Sequence, residues 1–272
     1  MTARLQLALD FVDLHRALKA AEEAVQGGVH ILEIGTPLLK AEGLDAVRKL
    51  RARFPRSEIV CDAKTMDAGR LELETAAKAG ATIATVLGVA SDSTLEECVD
   101  AGTNYGIRVL VDLLGCEDPV ARARFAEAAG AYAVNVHCPI DDQVRGKNPL
   151  DTLRAVRAAV SIPVSVAGGI TARTAPAVVE AGADIVIVGG AITKAQDAEA
   201  ATREILTAME TGVAGRSEVA ERGTSEADIR DIFLQVSTPN VSDAMHRAPC
   251  WHGLHATMPD ARVVGKAVTV RT

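Results

Sequence analysis

Apolar side chains gather into short runs that recur at near-regular intervals. The runs are Leu5–Leu9, His30–Ile34, Glu58–Cys61, Thr82–Val86, Arg108–Val111, Ala131–Val136, Ile162–Val166 and Asp184–Val188. Most are almost continuously apolar rather than alternating, the pattern of strands covered on both faces, as in a parallel sheet sheathed by helices. Between them lie Ala-, Glu-, Lys- and Arg-rich stretches that predict helices over 13–26, 44–53, 66–79, 94–105, 119–129, 149–160, 174–181 and 195–209. Gly27–Gly28, Gly80, Gly130 and Gly182 stand where left-handed helix caps belong. Eight strand–helix units in about 210 residues predict a closed (β/α)8 TIM barrel. An open doubly wound sheet is the alternative, but its two-half glycine fingerprint is missing.

The pattern changes after residue 210. The stretch 211–228 is polar and Gly-rich and predicts a linker; 225–236 predicts a capped helix, 241–247 a second short one and 261–270 a strand. The expected organisation is therefore a barrel over 1–210, a linker over 211–228 and a partial extra segment over 229–272.

Composition narrows the function classes. Aromatic residues make up only 3% and the net charge is -7, which argues against a base-stacking or phosphate-backbone surface and hence against nucleic-acid binding. No apolar stretch is long enough to span a membrane, and Asp10 and Asp13 interrupt any signal-like segment. Five scattered cysteines without a CxxC pair suit a reducing cytoplasm rather than a disulfide or zinc framework.

A barrel concentrates its chemistry at the C-terminal ends of its strands. Charged groups stand there: Asp10 after the first strand, Glu33 in the second, Asp62 and Lys64 after the third, Asp112 after the fifth and His137 after the sixth. In DAKTMD, residues two apart on extended chain share a face, so Asp62 and Lys64 converge and Asp67 follows. Such a set can hold an ammonium between carboxylates and use it as a proton donor; as a surface ion pair it would matter little. Glu33 with Asp62 makes a hard-cation donor pair suited to Mg2+. His137 is a candidate acid or base, and Asp10 a substrate- or Lys64-binding group. The turns Ala167–Gly168–Gly169 and Gly189–Gly190 follow the last two strands, where backbone N–H groups of barrels cradle phosphate. Cys138 is incidental, and His15 faces solvent.

LQLALD (5–10), EIGTPL (33–38), DAKTMDAG (62–69), His137 with Asp141–Asp142–Gln143, VAGGI (166–170) and VGGAIT (188–193) together resemble the 3-hexulose-6-phosphate synthases of the orotidine monophosphate decarboxylase superfamily. The resemblance implies a reversible Mg2+-dependent aldol condensation of ribulose 5-phosphate with formaldehyde, through a metal-stabilised enediolate, to D-arabino-3-hexulose 6-phosphate. It implies Glu33 and Asp62 as metal ligands, Lys64 and His137 sharing the proton work, and a homodimer in which Asp67 serves the partner's site. An imine mechanism on Lys64 is disfavoured, because flanking carboxylates keep the amine protonated. The related rival is 3-keto-L-gulonate 6-phosphate decarboxylase, which tends to carry Arg where this chain has Gly190 and another shortly after the histidine, where it has Cys138–Pro139. Ribulose-phosphate 3-epimerase would need a second metal-binding histidine, and His30 stands at the wrong end of its strand. Residues 236–270 resemble the opening of the RraA-like family, whose binding motif lies beyond the last residue here. A regulatory role through that segment is the expectation of another class.

Overall fold

The computed structural model describes residues 3–138 and 149–215, together with Arg230, Phe233 and Leu234. The chain divides into two compact units, Met1–Val219 and Ala220–Thr272. The elements expected beyond 215, the RraA-like stretch and 141–143 lie outside the described residues.

The first unit is a closed eight-stranded parallel barrel. Its strands are β1 (Arg4–Leu9), β2 (Ile31–Ile34), β3 (Glu58–Thr65), β4 (Ile83–Leu87), β5 (Arg108–Asp112), β6 (Ala133–His137), β7 (Val164–Ala167) and β8 (Ile185–Val188). Each pairs with the next, and β8 closes on β1 through Leu5↔Val186 and Leu7↔Val188. The helices are α1 (Leu14–Gly27), α2 (Thr36–Glu42), α3 (Asp45–Arg53), α4 (Gly69–Ala79), α5 (Asp92–Tyr105), α6 (Pro119–Ala128), α7 (Leu150–Ala159), α8 (Ala175–Glu180), α9 (Gly190–Thr193) and α10 (Ala198–Thr211).

Strand alternation sorts the residues into two cores. Odd-numbered positions of β1 (Leu5, Leu7, Leu9) join Leu32, Ile34, Ile59, Val86 and Val111 against the helices. Even-numbered positions of β1 turn inward, where Ala8 joins Ile31, Val60, Ile83, Leu110, Ala133, Ala167, Ile185 and Ile187 to fill the barrel. Each fully buried Leu or Ile contributes about 1.5–3 kcal/mol. Helices start and stop on local signals. Asp13 caps α1 by accepting from Arg16 N, Ser91 caps α5 and Asp118 caps α6. Gly80 ends α4 at φ 104°, and a Cβ there would strike Arg51 at 2.8 Å; only glycine fits both conditions.

Several elements depart from the sequence pattern. Strand β3 continues to Thr65, so Asp62 and Lys64 lie inside it rather than after it. Helix α4 begins at Gly69, not residue 66, because Ala68 is left-handed at φ 53° and stops the helix from reaching back. Helix α2 is additional, started by Pro37 in its first turn and ended at Gly43. The last expected helix, 195–209, is α10, which starts after its cap Asp197, and the short α9 ahead of it is additional.

Candidate active site

The C-terminal mouth is built from inward positions of successive strands. Register places Ala8 beside Glu33, Asp112 beside Asn135 and His137 beside Ala167. Hydrophobic residues fill the middle of the barrel; above them the inward positions turn polar.

Lys64 is the hub. Its Nζ lies 2.9 Å from Asp62 Oδ2 and 3.2 Å from Asp112 Oδ2. Asp112 is 2% exposed and also lies 3.0 Å from His137 Nδ1. Asp112 thus joins the lysine to the histidine, a bridging role that its place at a strand end did not reveal. Burial works to lower the Lys64 pKa, but Asp62 and Asp112 outweigh it and hold the amine above its usual range. Burial likewise works against the Asp112 carboxylate, and the His137 hydrogen bond and the nearby cations lower its pKa. An ionised Asp112 only accepts, so His137 Nδ1 donates to it and Nε2 is the ring nitrogen left outside that bond.

The convergence of Asp62 and Lys64 is not simple strand alternation. Cys61 pairs with Ala84 but Thr65 pairs with Val86, so β3 slips against β4. Lys64 sits at φ 47°, a left-handed conformation that non-glycine residues avoid. Thr85 spans the slip: Lys64 N donates to its hydroxyl at 2.9 Å, and the hydroxyl donates to Asp62 Oδ1 at 2.8 Å. Thr36 approaches the other oxygen, donating to Asp62 Oδ2 at 2.7 Å.

Glu33 is 7% exposed and accepts from Gln6 Nε2 at 2.8 Å. Burial, then the charge of Asp62, push its pKa well above the usual carboxylate value. Asp10 stands at the rim. Burial of its carboxyl and the Asp62 charge raise its pKa as well, while Lys64, His137 and Lys194 pull the other way. A Cβ on Gly35 would meet Asp10 Oδ1 at 2.2 Å, so any larger residue there would displace the Asp10 carboxylate from its present position.

The Asp62 charge bears on Glu33, and the two side chains offer only oxygen donors, a set that fits a hard cation. No group of three or more ligating side chains occurs among the described residues. Glu33 and Asp62 are the residues that would hold Mg2+, an ion commonly bound by one or two carboxylates together with substrate oxygens and water.

The glycine turns lie at the ends of β7 and β8. Gly168 and Gly169 have φ of 124° and 65°, and Gly189 precedes the short α9. Gly190 opens α9, where first-turn N–H groups have no acceptor within the helix. Lys194, overlooked in the sequence, leans over this turn: an ideal Cβ on Gly190 would stand 3.8 Å from its Nζ. Asp67 is not brought to the cluster. It is exposed, with Oδ1 accepting from Ala68 N at 2.7 Å. Gln6, Thr36 and Thr85 were also missed, since a polar residue inside an apolar run carries no mark of which strand will face it.

Residues 3–205 match the family model for orotidine 5'-phosphate decarboxylase / HUMPS. The chain is 41% identical over 206 residues to the 3-hexulose-6-phosphate synthase of Mycobacterium gastri, a match covering 76% of this chain and 99% of that one. The crystal structure of 3-hexulose-6-phosphate synthase from Salmonella typhimurium superposes with a TM-score of 0.74 at 37% identity, covering 77% of this chain and all of the other. The 3-keto-L-gulonate-6-phosphate decarboxylase from Vibrio cholerae gives a TM-score of 0.71 at 25% identity, covering 78% of this chain and all of the other. With a barrel of this order, its polar mouth and these relatives, the chain is an enzyme, a lyase, and belongs to the orotidine 5'-phosphate decarboxylase / HUMPS family.

Proposed function

We propose that this chain condenses ribulose 5-phosphate with formaldehyde, reversibly, to give D-arabino-3-hexulose 6-phosphate. The observation that carries the reading is the Asp62–Lys64–Asp112–His137 chain beside the charge-starved Glu33. Lys64 stays protonated, so it serves as a cation rather than as a base or an imine-forming amine. His137 Nε2 then takes the proton from C1 of ribulose 5-phosphate. The resulting enediolate is stabilised by the Lys64 ammonium, and C1 attacks the formaldehyde carbon. The new alkoxide regains the proton from the imidazolium, which returns His137 to its starting state. Glu33 and Asp62 would hold Mg2+, which when bound would supply Lewis-acid stabilisation of charge on the substrate oxygens.

The turns at 167–169 and 189–190 hold the phosphate as a remote handle that orients the reacting carbon, with Lys194 adding charge at that end. Support for synthase over decarboxylase comes from the higher identity to the synthases and from glycine at 190. Asp67, exposed beside exposed Met66 and Leu71, suits a homodimer in which it faces the partner's site.

The test is formaldehyde-dependent consumption of ribulose 5-phosphate. The expected result is turnover that stops with EDTA, returns with Mg2+ and falls at least about 10^3-fold in Asp62→Asn. A borohydride-trapped adduct on Lys64, or a higher kcat/KM for decarboxylating 3-keto-L-gulonate 6-phosphate, would overturn the reading.

A further inference from the structure

We propose that Thr85 is a positioning residue for this reaction, its hydroxyl locking the Lys64 backbone and the Asp62 carboxylate into one geometry. The inference rests on the roles given above to Asp62 and Lys64. Thr85 is 3% exposed and lies on an inward position of β4. Between the two pairings that flank it, β3 advances from Cys61 to Thr65 while β4 advances only from Ala84 to Val86. Inside that slip Lys64 N donates to the Thr85 hydroxyl instead of to a strand carbonyl.

The hydroxyl has one proton and two lone pairs. Lys64 N–H occupies a lone pair, so the proton is committed to Asp62 Oδ1, 2.8 Å away. One buried atom therefore fixes two things: the left-handed turn at Lys64, and the rotation of the carboxylate that Lys64 Nζ touches through both oxygens, at 2.9 and 3.2 Å. Thr36 also holds Asp62, but it does not reach the Lys64 backbone. Among the described residues, Thr85 alone grips both partners. A methyl in place of its hydroxyl leaves the Lys64 N–H and an Asp62 lone pair without their partner in a water-poor site, and frees both groups to turn.

Two variants separate positioning from packing. Thr85→Val keeps the shape and removes the hydroxyl; Thr85→Ser keeps the hydroxyl and removes the methyl. Positioning predicts that Val lowers kcat about tenfold or more with KM for ribulose 5-phosphate changed less than about threefold, while Ser stays within about threefold of the parent. Packing predicts the reverse order. Backbone amide exchange at Lys64, measured without substrate, is expected to accelerate about tenfold or more in Val and little in Ser. Kcat within about twofold of the parent in Val, or an equal loss in Ser and Val, overturns the proposal, and so does Lys64 exchange that does not distinguish them. If Val fails to fold by circular dichroism, Thr85→Ala replaces it and must show the same contrast with Ser. Should the parent enzyme not consume ribulose 5-phosphate while Lys64 exchange still separates Val from Ser, the assigned reaction falls and the Thr85 clamp stands.

Discussion

The two ends of the barrel both carry inward-facing charge, and they resolve it in opposite ways. At the N-terminal end Glu58 accepts from Arg4 Nη2 at 2.9 Å and from Arg108 Nη2 at 2.7 Å, and Arg108 stacks over Tyr132 at 4.4 Å. Burial works to raise the Glu58 pKa, but the two guanidiniums more than offset it and lower the value. At the C-terminal end four carboxylates, Asp10, Glu33, Asp62 and Asp112, share Lys64 and His137, and Asp10 and Glu33 are pushed upward. One end is a compensated plug. The other is short of positive charge, as expected where a cation and an anionic, phosphate-bearing substrate are to be held together. Perturbed acids therefore distinguish the working end from the structural one more sharply than the mere presence of charge.

The largest test of that contrast is Glu33→Gln. Activity is expected to fall at least about 100-fold as the cation site is lost. Thermal stability is expected to move the other way. A carboxyl whose pKa is raised by folding stabilises fully below its unfolded value, and that contribution disappears as pH rises through the folded value. At neutral pH Glu33 is therefore a liability, and neutral Gln can still accept from Gln6. Calorimetry without metal should show a Tm about 2–4 °C higher per kcal/mol relieved, with the gain shrinking as pH falls toward the ordinary carboxylate range. A lower Tm would mean that Glu33 is compensated like Glu58.

Glu58→Ala probes the opposite end. The pairs are about one-third exposed, so the expected loss is only about 1–2 kcal/mol, a Tm fall of several degrees. Kcat/KM should remain within about twofold, and a large catalytic defect would show that the plug is coupled to the mouth. The smallest effect belongs to Lys194→Ala at the rim. It should raise KM for ribulose 5-phosphate about two- to fivefold, with kcat unchanged. A kcat defect of that size with unchanged KM would place Lys194 at the reacting carbon instead of the phosphate.

Much of the barrel was legible because hydrophobic period and helix signals are local properties of the chain. The strand-end rule likewise marks Asp10, Glu33, Asp62, Lys64 and His137 from their positions after apolar runs. The β3 boundary failed for a physical reason: Ala63, Lys64 and Thr65 are no longer a continuous apolar run, yet the backbone stays in the strand because β4 and Thr85 hold it. A related lack of local signal hid α2, whose seven residues bury only Leu38 and so carry almost no periodicity.

The amino-acid order by itself determined the repeating units, the two-sided burial of the strands and which charged residues stand at strand ends. Only the tertiary structure decided how those charges are shared. Closing the ring brings Arg4 and Arg108 to Glu58, Asp112 between Lys64 and His137, and Thr85 between Lys64 and Asp62. These partners are 21 to 54 positions apart along the chain, far beyond any local period. A pKa or a hydrogen-bond direction depends on what surrounds a group in three dimensions, and that is set by register, slip and closure rather than by the neighbours in sequence.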